Sequence, residues 1–193
     1  IFGNYTGGSS GNNDYSVIDG FIIDGFESEA GNIFDITGVF VKTAHNTIRN
    51  MIISNGEKNG TGQVYGVYIE DNNASVNIEN TIGFNIPNNF LVIKGANVSG
   101  SKVKIKDSTI FNVCEEGSNI NDSAIGFYNN SGANEYDTSS IFIENSFVDC
   151  ANSSAFALGT GTNTGAIDGS RVLSSDASAL VGAINIYNSV NPA

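Results

Sequence analysis

One pattern recurs along the chain: an Ile, a polar residue, then Asn, Asp or Gly, followed by a second short apolar run. It appears as Ile18-Asp19-Gly20-Phe21-Ile22-Ile23, Ile48-Arg49-Asn50-Met51-Ile52-Ile53, Ile78-Glu79-Asn80-Thr81-Ile82, Ile105-Lys106-Asp107-Ser108-Thr109-Ile110, Ile143-Glu144-Asn145-Ser146-Phe147, Ile167-Asp168-Gly169-Ser170-Arg171-Val172 and Ile186-Tyr187-Asn188-Ser189-Val190. Successive Ile lie 30, 30, 27, 38, 24 and 19 residues apart, a periodicity that marks stacked structural repeats. In Val76-Asn77-Ile78, Val103-Lys104-Ile105, Ile141-Phe142-Ile143 and Ile184-Asn185-Ile186 a second apolar residue stands two positions earlier, the alternation of a strand with one buried face. Asn, Asp and Gly enter left-handed backbone cheaply, so each repeat predicts a strand, a sharp bend and a second strand at an angle to the first. A third apolar segment lies midway through most repeats: 39–41, 64–69, 90–93, 125–127, 156–158 and 179–181.

Three short strands per period cannot bury their inward side chains alone, but stacked periods pair their backbone groups with the neighbours above and below. The reading is an all-β, single-stranded parallel β-helix (solenoid) of about six rungs, one domain over 1–193, with a Gly/Asn-rich segment at 1–14 and rungs over 15–190. Ile18, Ile48, Ile78, Ile105, Ile143 and Ile167 form an inward stack, and Ile186 joins it only if the short last interval holds a whole rung. Gly20, Asn50, Asn80, Asp107, Asn145, Gly169 and Asn188 form a ladder at the bend, where Asn amides can bond along the stack.

The repeated Ile-x-Asn/Asp/Gly pattern, with Val17-Ile18-Asp19-Gly20-Phe21-Ile22-Ile23 following Ile1-Phe2-Gly3-Asn4-Tyr5-Thr6-Gly7-Gly8, resembles the right-handed parallel β-helix repeat domains of the pectate-lyase-like superfamily. Such domains occur in secreted and cell-surface proteins. The resemblance covers about residues 15 to 190 and implies the right-handed coil, which spacing alone does not fix. It identifies an architecture rather than an activity.

Composition agrees with the pattern. The chain has 23 Ile and 14 Val against 4 Leu, a preference for β-branched side chains that argues against a helical bundle. With 28 Asn, 22 Ser and 23 Gly, but 40% hydrophobic residues, it is too apolar for disorder and rich in turn formers. No run approaches the ~20 apolar residues of a membrane-spanning helix, so no membrane insertion is expected. Eight basic residues against 20 acidic ones give a net charge of −12, which disfavours nucleic acid and polyanionic glycans. The chain begins at Ile1, which reads as a mature or excised fragment of a longer protein with flanking domains.

Catalytic signals are weak. The lyases of this superfamily use calcium-held carboxylates with Arg or Lys, and Arg49 and Arg171 fall about four rungs apart. The Asn-Thr-Asp, Asp-Asp, His-Gly and Arg-Ile-Lys set of its hydrolases does not occur. His45 reads as an exposed turn residue. Asp19, Glu79, Glu144 and Asp168 recur just after the Ile with Arg49 and Lys106 between them, a mixed-charge solvated column rather than an acid–base pair. Glu27 with Glu29, Asp71, and Glu115 with Glu116 offer no regular calcium loop, and no metal or cofactor is expected.

Two cysteines, Cys114 and Cys150, stand in the related contexts Phe111-Asn112-Val113-Cys114 and Phe147-Val148-Asp149-Cys150. They read either as a disulfide between neighbouring rungs or as two stacked thiols, since their offsets from the bend residue, seven and five, differ. Asn-x-Ser/Thr sequons occur at Asn4, Asn59, Asn73, Asn97, Asn121, Asn129 and Asn152, in predicted loops where a glycan fits. Tyr65, Tyr68, Phe127, Tyr128 and Tyr136 are candidates for an outward line of aromatics that stacks on sugar rings. The longest insertion, 115–137, is the loop that would carry a site.

These features predict a non-enzymatic structural or adhesin-like protein, extracellular or at a cell surface, as part of a sheath, filament or surface layer. Self-association through open strand edges or lateral faces is the expected partnership. The alternative is a carbohydrate-active lyase or hydrolase, or a polysaccharide-binding domain.

Overall fold

The computed structural model describes residues 15–28, 35–70, 74–95, 101–114, 124–129, 140–150, 167–168 and 171–174. Within them the chain is all β, and every described strand pair is parallel. The first repeat supplies β1 (Tyr15–Asp19), β2 (Ile22–Asp24), β3 (Glu27–Ser28) and β4 (Ile36–Val41). The second supplies β5 (His45–Arg49), β6 (Ile52–Ser54), β7 (Glu57–Lys58) and β8 (Val64–Glu70). Then follow β9 (Ser75–Glu79), β10 (Ile82–Ile86) and β11 (Leu91–Gly95), and β12 (Lys102–Lys106), β13 (Thr109–Val113) and β14 (Ile125–Asn129). The last two described repeats give β15 (Ser140–Glu144) with β16 (Phe147–Cys150), and β17 (Ile167–Asp168) with β18 (Arg171–Ser174).

Equivalent strands of successive repeats lie side by side. The first sheet runs β1-β5-β9-β12-β15-β17, the second β2-β6-β10-β13-β16-β18 and the third β4-β8-β11-β14. The first sheet keeps Ile18, Ile48, Ile78, Ile105, Ile143 and Ile167 in one register column, as the periodicity predicts. Ile186 lies outside the described residues. Beyond the second sheet, β3 pairs with β7 in a short two-stranded sheet.

The three sheets share one core. Ile48, Ile78 and Ile105 of the first sheet, Ile53, Ile110 and Val148 of the second, and Val67, Ile69 and Ile93 of the third belong to a single buried cluster. Each fully buried Ile contributes about 2 to 3 kcal/mol by leaving water, an upper figure because an unfolded chain already hides some surface.

Between the first and second sheets the chain turns through left-handed backbone, at Gly20 (φ 78°), Asn50 (54°), Asn80 (45°), Asp107 (49°) and Asn145 (45°). Side chains bond across this corner: Asn50 Nδ2 donates to Asp19 Oδ1, Asn80 Nδ2 to Asn50 Oδ1, and Asn145 Nδ2 to Asp107 Oδ1, each at 2.7 Å. Just inside it, hydroxyls replace a backbone partner. Ser108 Oγ accepts from the Thr81 N–H at 3.1 Å and donates to the Lys106 carbonyl at 2.7 Å, and Ser146 repeats both bonds one repeat later.

Five residues on, a second left-handed corner follows β2 and β6 at Gly25 (φ 71°) and Asn55 (55°) and falls within β10 and β13 at Asn85 (53°) and Asn112 (50°). Asn55 Nδ2 donates to Asp24 Oδ1 at 2.7 Å, Asn85 Nδ2 to Asn55 Oδ1 at 2.8 Å and Asn112 Nδ2 to Asn85 Oδ1 at 2.7 Å. The backbone supports the same corner, with the Gly25 and Asn55 N–H groups donating to the carbonyls of Ser54 and Phe84. Two rows of polar side chains therefore tie the repeats together outside the apolar core.

Candidate functional site

The third sheet holds the aromatics singled out by the sequence. Tyr65 and Tyr68 both lie on its outer side with ring centroids 5.6 Å apart, although strict alternation would send residues three apart to opposite faces. Gly66 explains the break. A Cβ there would lie 2.9 Å from Ile86 Cδ1 and 2.8 Å from the Phe90 carbonyl oxygen, so Gly66 faces inward and so does the buried Val67 beside it. Phe40 of the neighbouring strand stacks on Tyr68 at 5.6 Å, an in-register pair that sequence reading did not single out. The signal available was its alignment with Tyr68 once the Val39–Val67 register is drawn.

These rings border a groove of about 270 Å³, whose polar lining includes Asp35, Glu70 and Lys94. The Lys42 ammonium sits 2.9 Å from a Glu70 carboxylate oxygen and 5.7 Å from the Phe40 ring centroid. Asp35 Oδ1 accepts from the Gln63 N–H at 2.9 Å. Burial, then the nearby carboxylates of Glu70 and Asp35, push the Tyr68 phenol up to about 12, so it stays a neutral hydrogen-bonding group throughout the physiological range. Tyr65 is mostly buried and with Tyr68 covers Val92. Of the other aromatic candidates, Phe127 and Tyr128 lie on β14, opposite Ile93 and Lys94 in register, and Tyr136 lies outside the described residues.

The outer side of the first sheet carries charge. Asp19, Arg49, Glu79, Lys106, Glu144 and Asp168 occupy one register column. Arg49 makes contacts of 2.9 Å to Asp19 through both Nε and Nη2, and Lys104 and Lys106 each approach Glu144 at 3.5 Å. Asp19 and Glu144 thus each face a guanidinium or ammonium group, as ion pairs between neighbouring strands rather than as an acid–base pair of carboxylates. His45 is not a turn residue: it opens β5 and its ring stacks on Tyr15 at 4.7 Å.

Among the described residues no group of three or more His, Cys, Asp or Glu is placed to hold a metal ion. Cys114 is buried and disulfide-bonded, and Cys150 is the chain's other cysteine. The backbone brings them close because Cys150 pairs with Val113. Of the sequons, Asn59 is exposed just after β7, and its amide donates to Glu27 at 3.3 Å. Asn129 closes β14 instead of lying in a loop. Asn4, Asn73, Asn97, Asn121 and Asn152 lie outside the described residues.

No protein-family model, curated protein or solved structure matches this chain.

Proposed function

We propose that the three sheets are the walls of one right-handed parallel β-helix, and that the chain is a non-enzymatic structural or adhesin-like module of a cell surface, sheath or filament. The observation that carries this reading is the pair of side-chain rows running from repeat to repeat at the two corners. They stiffen a stack whose repeats otherwise meet through strand pairing and packing, which suits a spacer. The disulfide at Cys114 supports an oxidising, extracellular setting. Immunogold electron microscopy of source cells tests the proposal. Label on a regular outer layer, sheath or filament is the expected result, and label confined to the cell interior overturns it. Release of reducing ends or unsaturated sugars from a panel of polysaccharides would overturn the non-enzymatic part.

A second reading, glycan binding, is favoured by the groove beside Phe40, Tyr65 and Tyr68. Carboxylates and an ammonium at the edge of an aromatic patch match the hydroxyls and C–H faces of a sugar. Titration calorimetry with neutral oligosaccharides should give binding that Tyr68→Ala abolishes. No heat with any glycan across the panel removes this reading and leaves the structural one standing.

A further inference from the structure

On the glycan-binding reading of the third-sheet groove, on which this step rests, we infer that the favoured ligand is a sugar with a free amine, whose ammonium pairs with Asp35 while its ring lies on the aromatic side chains. The groove is shaped by two glycines. Gly38 stands across from Gly66, between the register pairs Thr37–Tyr65 and Val39–Val67. A Cβ at Gly38 would lie 3.0 Å from the Gly66 carbonyl oxygen and 3.2 Å from Ile53 Cγ2, so this position faces inward as Gly66 does. On both strands the outer side chains are therefore three residues apart, Thr37 with Phe40 and Tyr65 with Tyr68, and all four line the groove.

The charges along the groove select the ligand. Lys94 pairs in register with Glu70 at one end, and Asp35 precedes the Ile36–Val64 pair at the other. At the first end the Lys42 ammonium already lies between the Glu70 carboxylate and the Phe40 ring, which shows the kind of seat a cation takes on this sheet. Asp35 is exposed and has no ion-pair partner among the described residues. The Gln63 N–H bonded to its Oδ1 orients the carboxylate without neutralising it. After burial, Glu70 and then Asp35 push the Tyr68 phenol up, so both carboxylates lie within electrostatic reach of that ring. An ammonium beside Asp35 would thus meet a free carboxylate next to aromatic faces, and Lys94 would donate to the sugar's hydroxyl oxygens. The net charge of −12 adds a long-range attraction for a cationic glycan and repels a polyanionic one.

Titration calorimetry with glucosamine oligomers and with glucose oligomers of the same length and linkage tests this, at a mildly acidic pH where the free amine is an ammonium. The two ligands share their ring faces and differ by an ammonium in place of a hydroxyl. The expected result is binding about fivefold tighter for the amino form, the scale of a partly exposed ion pair. Asp35→Asn keeps an acceptor for the Gln63 N–H and should remove the preference while leaving the affinity for glucose oligomers unchanged. Glu57→Gln, the same change of charge on β7, should leave the preference intact. Circular dichroism melts identify any variant that fails to fold, and Asp35→Ser is the second variant should Asp35→Asn misfold. Equal affinity for the two ligands overturns the inference and leaves the glycan reading standing, whereas no binding of either removes both. A preference that survives Asp35→Asn, or that Glu57→Gln reduces as much, also overturns it, since the attraction would then come from the acidic surface as a whole.

Discussion

The ring of Phe90 fills the space that a side chain at position 83 would need. A Cβ added to Gly83 would stand 2.2 Å from Phe90 Cε2 and 2.5 Å from Cδ2. Phe90 is fully buried, and its carbonyl already passes close to Gly66, so the ring has little room to retreat. Gly83→Ala is expected to destabilise by about 1 to 3 kcal/mol through overpacking. Urea denaturation checks this, and a double-mutant cycle with Phe90→Leu should show a favourable coupling. Additive costs would mean that the two residues do not compete for the same space.

Asn85 both donates to Asn55 and accepts from Asn112, at a φ of 53°. Asn85→Ala removes the amide and puts an unfavourable Cβ in left-handed backbone, for a loss of about 2 to 3 kcal/mol. Asn85→Gly loses the amide but relieves the backbone. The glycine variant should therefore melt above the alanine variant and below the unmodified chain. Equal melting temperatures for the two variants would show that the φ angle contributes nothing.

Acid should weaken the corners. Asp19 is held below the ordinary carboxylate range by hydrogen bonds from Asn50 and then Arg49, and Asp24 by those from Ser54 and then Asn55. Because folding lowers both pKa values, their contribution to stability is complete above the unfolded value, about 4. It is lost as the pH falls through the lowered, folded values. Asp24→Asn keeps an acceptor for Ser54 and Asn55 but cannot titrate. Urea midpoints measured across that acid range should fall less steeply for this variant than for the unmodified chain.

The disulfide gives a further expectation. A bond between Cys114 and Cys150, 36 residues apart, would stabilise by about 4 kcal/mol on the loop-entropy model. Reduction, or the double change to Ser, should lower the urea midpoint accordingly. Mass spectrometry of a non-reduced digest should show the two cysteine peptides linked.

The first corner was legible in the sequence because its residue follows an Ile by two positions in every repeat. The second corner was not. Its Gly25, Asn55, Asn85 and Asn112 also recur at a fixed offset, five after the first, but in a chain with 28 Asn that signal is easily lost. The offset fails at the next repeat, where Cys150 takes the place of Asn. The two-residue difference between the cysteine offsets has two parts: Ile110 pairs with Val148 but Val113 with Cys150, so β13 carries one extra residue in a bulge, and Cys150 pairs with Val113, one residue before Cys114. Tyr65 and Tyr68 were singled out for composition, but their shared face depends on the inward turn at Gly66, which no alternation rule predicts. The 115–137 loop lies largely outside the described residues, and the groove stands instead on the third sheet.

The second-corner amides of Asn55, Asn85 and Asn112 all donate toward the first repeat, and Asn55 and Asn85 each accept from the next repeat. Their dipoles therefore add, as peptide dipoles do along a helix, and the positive end of the row meets the Asp24 carboxylate. A carboxylate belongs at the head of such a row, because it accepts from the next amide but has no proton to pass on. Asp107 illustrates the point in the first corner: it accepts from Asn145 and, ionised, cannot donate to Asn80, so a new row starts there. The repeats are thus not interchangeable. An interior repeat moved ahead of Asp24 would face an acid unable to donate to it, and the row would be cut at that junction.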